Sequence, residues 1–597
     1  MKLRMCLKAL CVLIVGCASL PLYGTTWYVR PDGGTRHSTN VPSGQCDGKA
    51  DAAPSGGKAN QHCAFNDVRM LWEDGTYTTG TTFPSWGWVI AGGDTVIIRG
   101  SIGTGASYRV GWNSPSTYCE KTVCWGLTGD AYSSGAPPPP SGTAAQHTRI
   151  LGENYASCRS ASAKTQIHGG WAVTNVLSLS GTSYVDVACL DITDFSACGK
   201  SSQTVGCNGT QDFAQVGIRL NNKTTNLTLT DLHIHGLAGS GIAGPTGDGV
   251  VMDYVDILGN ASSGWDADPG DGTTGKGSLL VQHYNISWNG CAEEYPIVHS
   301  LPYGDCTDQD HGGYGDGFGT TTKDSDPPGW QVHFDHGTVS YNTQDGLDAL
   351  HIGGVGSSMT VTNSLAFGNM GQQIKVGGAA ATMIGNLIVG NCRAMSNDIP
   401  GTPKGYNAHL DLFCRAGDTA VLIMVPENRP AIFQKNIIYS NNHVALEVEY
   451  PNDHSSSASS IKYDDNIFIG FPNSEGQNST PIYSNTDLKM FTNPGASFSR
   501  NVTYHPKSNW KCPATSLHET EGSCSDPHLK DESWHPYGYG DASPLKATDK
   551  SSSNTDPSRS NGLSYTSVVI GSVGAAILAT GTWQGLRYLR NRTEGPN

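Results

Sequence analysis

Short runs of β-forming residues recur along the chain, and most of them are closed by an asparagine or a glycine. The runs show no helical periodicity of apolar residues. Segments of this kind, separated by turn residues, are typical of β-strands. The pattern therefore predicts many short strands over most of the chain. The runs are Val96–Arg99, Tyr184–Asp191, Asn226–His233, Val250–Asn260, Leu279–Asn289, Val332–Asn342, Met359–Asn369, Met383–Asn391, Ile432–Asn441 and Ile461–Gly470.

The closing asparagines reveal a repeat. They lie at positions 260, 289, 342, 369, 391 and 441, with spacings of 29, 53, 27, 22 and 50 residues. If 53 and 50 each represent two coils, or one coil with an insertion, the period is 22–29 residues. A period in this range is typical of solenoids. Strand-rich repeats favour an all-β, right-handed parallel β-helix, with an array of β-sandwiches as the alternative. Asparagine at a coil corner tolerates left-handed backbone.

The beginning of the chain fits this fold. Cys63–Trp72 has helical spacing of apolar residues and predicts an N-terminal capping helix, which a solenoid needs to cover its open end. The Trp27-Tyr28-Val29 and Gly93–Val96 segments resemble the first coils of exported right-handed parallel β-helix proteins of the pectate-lyase-like class. This resemblance extends loosely over most of residues 25–540 and concerns the fold, which does not settle function.

Composition narrows the classes of function. The chain has 597 residues, 75 of them glycine, and only 15% are charged. Aspartate and glutamate total 52 against 37 lysines and arginines, giving a formal net charge of −15 without an internal basic stripe. A protein that binds nucleic-acid phosphates needs local positive charge, so we expect no nucleic-acid partner.

Residues 1–24 have the pattern of a signal peptide, with an apolar run over Cys11–Leu20 behind a basic start. Cleavage after Gly24 would expose Thr25. The alternative is a lipobox-like Ile14–Cys17 segment, which would lead to lipidation of Cys17. Either process predicts an exported protein, at the cell surface or secreted.

The C-terminal region predicts an anchor. Residues 565–583 carry no charge and are followed by a basic tail, 584–597, with arginines at 587, 590 and 592. A segment of about 20 apolar residues can span a bilayer, and the arginines suit a cytoplasmic stop. Residues 546–564 would be the linker and 25–545 a catalytic β-helix domain. The alternative is that 565–583 forms a last strand or capping helix of the fold.

Seventeen cysteines are present, and fourteen remain outside the predicted signal peptide. An even number in an exported chain suggests up to seven disulfides, whose pairing the sequence leaves open. Since no Cys-X-X-Cys occurs, zinc-ribbon and thioredoxin-type sites lack support. The near-neighbour couples are 46/63, 119/124, 198/207, 291/306, 392/414 and 512/524, with 158/189 as a wider couple.

The densest chemical signal lies between residues 314 and 378. Asp316 and Asp345 are 29 residues apart, and Lys375 follows Asp345 by 30 residues. In coils of that size these residues would lie in register on adjacent rungs, about 4.8 Å apart. Asp348, three residues beyond Asp345, would turn toward the same surface. Stacked carboxylates repel one another unless a hard cation such as Ca²⁺ binds between them.

A lysine beside such a cation can have a lowered pKa and act as a general base. Lyases that act on uronate polymers need these components. The cation holds the sugar carboxylate, and the base removes the neighbouring C5 proton as the C4 oxygen leaves. Lys323, in a polar loop seven residues beyond Asp316, is the rival base.

Three segments together are similar to polysaccharide lyase family 9, the parallel β-helix pectate lyases. They are Asp316-Gly-Phe318, Asn342-Thr-Gln344-Asp345-Gly-Leu-Asp348 and Gln373-Ile-Lys375-Val-Gly-Gly378. The resemblance implies calcium ligation by Asp316, Asp345 and Asp348, with Lys375 as the base. Gln344 replaces the first aspartate of the family's Asp-Asp pair, so this ligand position offers a neutral oxygen.

Other interpretations remain open. Arg393 and Arg415 are candidates to clamp a uronate carboxylate, although each directly follows a cysteine. An inverting, polygalacturonase-like hydrolase would use two carboxyl groups about 6.5–9.5 Å apart. A surface-displayed adhesin or glycan-binding protein would need no catalytic residue. We expect a monomer whose partner is an acidic polysaccharide.

Overall fold

The strands of the chain stack in parallel, coil upon coil, in a computed structural model. No α-helix occurs among the residues it describes, but three short 3₁₀-helices do: Val68–Leu71, Ile102–Thr104 and Ala161–Ala163. The described residues are 24–74, 85–86, 88–110, 138–170, 173–195, 214–268, 274–290, 315–320, 329–350, 352, 356–390, 419–424, 429–440, 444–449, 461–470, 480–484, 496–504, 519–520, 522–523 and 526.

Each complete coil contributes strands to three parallel ladders, which we call the first, second and third ladders. The first and second ladders join into one 24-stranded sheet, and the third forms a separate 10-stranded sheet. The first ladder contains Thr26–Gly34, Thr95–Ile98, Thr148–Gly152, Ser183–Ala188, Thr225–His235, Val250–Leu258, Gly277–Gln282, Trp330–Asp335, Ser358–Thr362, Ala380–Ile384, Ala431–Gln434, Ile461–Asp464, Ala496–Ser499 and Glu519–Thr520.

The other two ladders run beside it. Thr225–His235 and Val250–Leu258 are long enough to belong to both the first and the second ladder. The second ladder also contains Ser107–Val110, Thr165–Gly169, Leu190–Asp194, Asn285–Ser287, Thr338–Ser340, Leu365–Phe367, Leu387–Gly390, Ile437–Ser440, Ile467–Gly470 and Val502–Tyr504. The third ladder contains Val173–Ser178, Ala214–Arg219, Ser240–Ala243, Trp265–Asp266, Phe318–Gly319, Leu347–Ala349, Ile374–Gly377, Thr419–Met424, Val444–Glu449 and Thr480–Ser484.

This architecture confirms the predicted right-handed parallel β-helix. It also decides how the long spacings arise. Asn289 bonds directly to Asn342, 53 residues later, and Asn386 bonds directly to Asn436, 50 residues later. Since direct partners lie on adjacent coils, each long spacing is a single coil with an insertion.

The closing asparagines do not adopt the left-handed backbone expected for them. The side-chain amide of Asn289 donates to Asn342 Oδ1 at 2.9 Å, and Asn342 donates to Asn369 Oδ1 at 2.8 Å. These side chains are fully buried. The residue before each one takes the positive φ instead, as at Trp288 and Tyr341. The turn thus aims the amide inward, where it satisfies polar groups of the neighbouring coils. Asn391 and Asn441 lie outside the described residues.

Inside the coils, one apolar side chain stacks on the next. The strand Trp330–Asp335 alternates buried and partly exposed residues, as expected for a strand with one face in the core. Phe318 packs edge-on against both Trp265 and Phe334 at centroid distances of 5.2 and 5.1 Å. Burial of such large rings is a major stabilising contribution.

The N-terminal cap differs from the predicted helix in its length and type. Within Cys63–Trp72 only Val68–Leu71 is helical, as a four-residue 3₁₀-helix capped by the Asp67 side chain. Val68, Leu71 and Trp72 are buried and line the apolar interior together with residues of the first coils. The disulfide at Cys63 and this short apolar turn cover the interior without a full α-helix. Beside them, Glu73–Asp74 and Ser85–Trp86 form a small antiparallel pair.

Two predicted disulfides are present, Cys46–Cys63 and Cys158–Cys189. They fit an oxidising compartment. The other cysteine couples lie outside the described residues, as do residues 1–23, the linker 546–564, the candidate anchor 565–583 and the tail 584–597. In the part of the chain that the structure describes, no helix has the length and apolar character to cross a membrane.

Candidate metal and catalytic site

The predicted site residues meet on three successive coils of the third ladder. The strands Phe318–Gly319, Leu347–Ala349 and Ile374–Gly377 pair in parallel. Gly319 lies opposite Asp348, and Asp348 lies opposite Lys375. The expectation that Lys375 is in register with Asp345 is therefore wrong by three residues, because the turn between coils is shorter than a constant 29–30-residue spacing assumes.

Three carboxyl groups converge just before and within these strands. Asp316, Asp345 and Asp348 each place one oxygen so that all three lie within 4.8 Å of one another. Their residues are 7%, 2% and 7% exposed. The cluster predicted from the 29-residue spacing is thus formed, and it is almost completely withdrawn from water.

Backbone amides fix the orientation of each carboxylate. Asp316 Oδ1 accepts from the Asp345 amide at 2.9 Å, and Asp345 Oδ1 accepts from the Gln372 amide at 2.7 Å. Asp348 Oδ1 accepts from the Leu350 amide at 2.7 Å. Because each contact uses only one oxygen, the other oxygen of each carboxylate can face the centre of the cluster.

Lys375 bridges two of these carboxylates. Its Nζ lies 3.1 Å from Asp345 Oδ2 and 3.2 Å from Asp348 Oδ2. The Lys375 side chain retains 13% exposure, more than either partner. Of the three side chains in this contact, that of Lys375 is therefore the most accessible to a bound molecule.

The electrostatics of the cluster are those of crowded negative charge. Burial, reinforced by the nearby charges of Asp345 and Asp348, raises the pKa of Asp316 well above its usual value. Burial also raises the pKa of Asp345, against the opposing effect of Lys375. For Lys375, burial favours the neutral amine, but the charges of Asp345 and Asp348 outweigh it and raise the pKa above the ordinary lysine value.

Two glycines make room for the carboxylates. A Cβ atom at Gly371 would lie 2.1 Å from Asp345 Oδ1, and one at Gly319 would lie 2.7 Å from Asp316 Oδ2. Both distances are far below van der Waals contact, so any larger residue would displace a carboxylate. The sequence motif assigned no role to these glycines or to the Gln372 amide, although Gly371 and Gln372 are the two residues directly before the third segment.

The donor set fits a hard divalent cation. Three carboxylates face a single ammonium group, so negative charge is in excess, and all the oxygens are of the type that calcium prefers. Gln344 directly precedes Asp345, and its buried Oε1 has no hydrogen-bond partner among the residues that the structure describes. A buried amide oxygen without a partner is costly unless something binds it. Arg393, Arg415 and Lys323 lie outside the described residues.

Comparisons with known proteins relate the chain to others by fold. No family model matches its sequence, and neither does any curated protein. The A-module of mannuronan C-5 epimerase AlgE4 from Azotobacter vinelandii is 13% identical, with a TM-score of 0.37, over 68% of this chain and 91% of its own. Pectate lyase Pel9A is 10% identical, with a TM-score of 0.35, over 88% and 90%.

A rhamnogalacturonan lyase is 13% identical, with a TM-score of 0.31, over 84% of this chain and 87% of its own. At these identities the likeness is one of fold, which the strand ladders of the chain establish by themselves.

Proposed function

We propose that the chain is a calcium-dependent lyase that cleaves an acidic, uronate-containing polysaccharide of the pectate type by β-elimination. One observation carries the proposal: Lys375 lies in direct contact with a buried carboxylate cluster that is suited to a divalent cation. Charge compensation and a base are the two components that removal of a C5 proton requires.

The calcium ligands would be Asp316, Asp345 and Asp348, with Gln344 as a neutral fourth ligand. Their backbone contacts hold the carboxylates in place before calcium binds, which lowers the cost of assembling the site. Calcium bound there would offset the charge of the aspartates beside Lys375 and make the C5 proton of a bound uronate more acidic.

Lys375 would act as the base in its neutral form. Its Nζ takes the C5 proton, the C5–H electron pair forms the C4–C5 double bond, and the C4–O bond breaks. The departing oxygen gains a proton from solvent, so the products are a new chain end and an unsaturated uronate. The partial exposure of the Lys375 side chain supports this role, because the base must come into contact with the substrate.

The surrounding assignments follow from the same proposal. The catalytic unit would be 25–545, exported as a monomer behind the signal peptide 1–24, with Arg393 and Arg415 available to bind a substrate carboxylate. The segment 565–583 would hold the protein at the membrane. The two disulfides support export.

The distances within the cluster weigh against an inverting hydrolase. Such an enzyme needs about 6.5–9.5 Å between its two carboxyl groups to accommodate a water molecule. In the cluster, one oxygen of each carboxylate lies within 4.8 Å of an oxygen of the others, which leaves little room for that water molecule. A hydrolase would also release saturated products, whereas an adhesin would bind glycan without forming any product.

Ultraviolet absorbance tests the proposal directly. The purified protein, incubated with polygalacturonate and calcium, is expected to produce a rise in absorbance from unsaturated uronate, and a chelator is expected to abolish it. Alginate, glucuronan and rhamnogalacturonan extend the test to other uronates. Glycan binding without absorbance from any of these polymers would refute the lyase and favour the adhesin.

Lys375→Ala tests the base. We expect activity to fall at least about 100-fold, within the range that a general base contributes, while calcium binding and the circular dichroism spectrum persist. Lys323→Ala is the matched control and should retain full activity. If the two variants behave in the opposite way, Lys323 is the base.

A further inference from the structure

A second cluster of metal-binding side chains lies on the second ladder, away from the proposed lyase site. Asp191 lies in the strand Leu190–Asp194, and His233 lies opposite it in the neighbouring strand Thr225–His235. His235 follows two residues later on the same strand. Because Ile234 between them is fully buried in the core, both imidazoles project from the outer face of the coil.

Both histidines point at the same oxygen atom. His233 Nδ1 lies 2.8 Å and His235 Nε2 lies 3.0 Å from Asp191 Oδ1. The two rings are stacked, with centroids 4.0 Å apart and planes inclined by 20°. One donor atom from each of the three residues therefore converges on a single small volume, within 4.8 Å of the others.

Neighbouring side chains hold this arrangement. Gln166 Nε2 donates to the other carboxylate oxygen, Asp191 Oδ2, at 3.0 Å. The hydroxyl of Thr193 lies 3.4 Å from His235 Nδ1 and 3.1 Å from the Asp194 carbonyl oxygen. Without a metal ion, His235 Nε2 donates to Asp191 Oδ1, and a bound cation would take the place of that proton. In that form the proton lies on His235 Nδ1, where the Thr193 hydroxyl oxygen can accept it. Such outer contacts typically orient metal-binding histidines.

The cluster is also shielded from water. Asp191 is 1% exposed and His235 is 8% exposed. A cation placed among these groups would therefore compete with little solvent, and its interaction with the carboxylate would be strong.

We propose that Asp191, His233 and His235 form a binding site for a divalent transition-metal ion of the zinc class. Two imidazole nitrogens and one carboxylate oxygen suit zinc, whereas calcium prefers oxygen ligands alone. Zinc holds such atoms at about 2.0–2.2 Å, so tetrahedral ligands lie about 3.3 Å apart. The observed contacts of 2.8 and 3.0 Å need to open by only a few tenths of an ångström. The fourth position is left for water or another ligand.

This site is independent of the proposed lyase. It uses the second ladder rather than the third, and its nitrogen donors select a different class of metal. Failure of the lyase proposal would leave it unaffected, and the reverse also holds.

Metal uptake by the intact protein tests the proposal. Protein stripped with a chelator and passed through gel filtration is titrated with zinc chloride, and bound zinc is measured by elemental analysis. Cobalt(II) serves as a second probe, because tetrahedral nitrogen ligation gives a visible spectrum. We expect one tightly bound ion that requires the cluster, and the His233→Ala/His235→Ala double variant should bind it at least about 100-fold more weakly.

Matched controls separate this site from other histidines and carboxylates. His283→Ala/His336→Ala removes two exposed histidines that also pair with aspartates, Asp253 and Asp335. This variant and Asp345→Asn should both retain zinc binding. The proposal would be overturned if the His233→Ala/His235→Ala variant bound zinc as tightly as the unaltered protein, or if the unaltered protein took up no more zinc than that variant. Either result would identify a hydrogen-bonded cluster only. If the double variant does not fold, zinc binding is measured on His235→Gln instead, and the cobalt spectrum is recorded on the unaltered protein. Weaker zinc binding by His235→Gln and a tetrahedral cobalt spectrum would then support the proposal.

Discussion

At the scale of single residues, folding brings the carboxyl group of Asp316 into an environment that disfavours its ionised form. It is buried beside two other carboxylates, and both effects raise its pKa well above the usual value. The folded chain thus holds this proton more tightly than the unfolded chain. The stabilisation is complete below the pKa of the unfolded chain, about 3.9, and is lost as the pH rises through the folded-state pKa.

We therefore predict that, in chelator, the unfolding temperature falls as the pH rises from about 4 toward neutrality, and falls less in Asp316→Asn. The asparagine keeps the oxygen that accepts from the Asp345 amide. Lys375 adds no slope in this range, because its pKa is raised from an already alkaline value. Thermal unfolding at several pH values measures the difference, and equal slopes in the two proteins would exclude the Asp316 carboxyl group as the cause.

Gln344 is the second residue whose chemistry can be tested. Gln344 directly precedes Asp345 in the chain, and its Oε1 is buried. An aspartate at this position would replace that neutral oxygen with a charged one. We expect Gln344→Asp to tighten calcium binding by at least about tenfold, since a unit charge about 4 Å from the ion is worth several kcal/mol at the effective dielectric constant of a protein. Gln344→Ala should weaken it. Calorimetric titration of both variants with calcium measures these affinities. Unchanged calcium affinity in both would exclude residue 344 as a ligand.

At the scale of the elements, the stacked asparagines link each coil to the next. The amide of Asn342 accepts from Asn289 Nδ2 at 2.9 Å and donates to Asn369 Oδ1 at 2.8 Å. Its oxygen also accepts from the Asn289 backbone amide at 3.1 Å. Because Asn342 is three residues before Asp345, this stack also fixes the turn that leads into the site.

Replacing Asn342 by alanine should be severe. Each buried donor or acceptor left without a partner costs about 1–3 kcal/mol, so we expect a loss of about 3 kcal/mol or more from the free energy of unfolding. Asn363→Gly is the control: Asn363 is exposed and has a φ of 50°, which glycine adopts readily, so its loss should stay below about 1 kcal/mol. Denaturant unfolding compares them, and similar losses would show that the stack contributes little.

At the scale of the whole molecule, stability in a solenoid is local, because each coil contacts only its neighbours. The Cys158–Cys189 disulfide closes 31 residues and lies several coils before the carboxylate cluster. By the loop-entropy relation it stabilises its region by about 3–4 kcal/mol.

We predict that Cys158→Ser/Cys189→Ser increases hydrogen exchange in the first coils while calcium affinity at Asp316, Asp345 and Asp348 stays within about twofold. Exchange mass spectrometry and calcium titration measure the two effects on the same sample. A large loss of calcium affinity would mean that the coils are coupled over a longer range than nearest neighbours.

Much of this organisation could be predicted from the sequence. The recurrent strand-forming runs and the 22–29-residue period favoured a parallel β-helix over an array of β-sandwiches, because stacked coils of that length bury such runs. The order and spacing of Asp316, Asp345, Asp348 and Lys375 indicated one cluster, since residues a coil apart must be neighbours. The 46/63 and 158/189 pairings also proved correct.

Only the tertiary structure decided the rest, because each point depends on groups from different coils. The register of Lys375 with Asp348 follows from turn lengths that spacing alone does not give. The burial that raises the pKa of Asp316 arises when whole coils stack. His233 and His235 are ordinary strand residues until Asp191, more than forty residues earlier, comes to lie opposite them. A linear pattern specifies which residues repeat, whereas packing determines which of them share a charge, a proton or a metal ion.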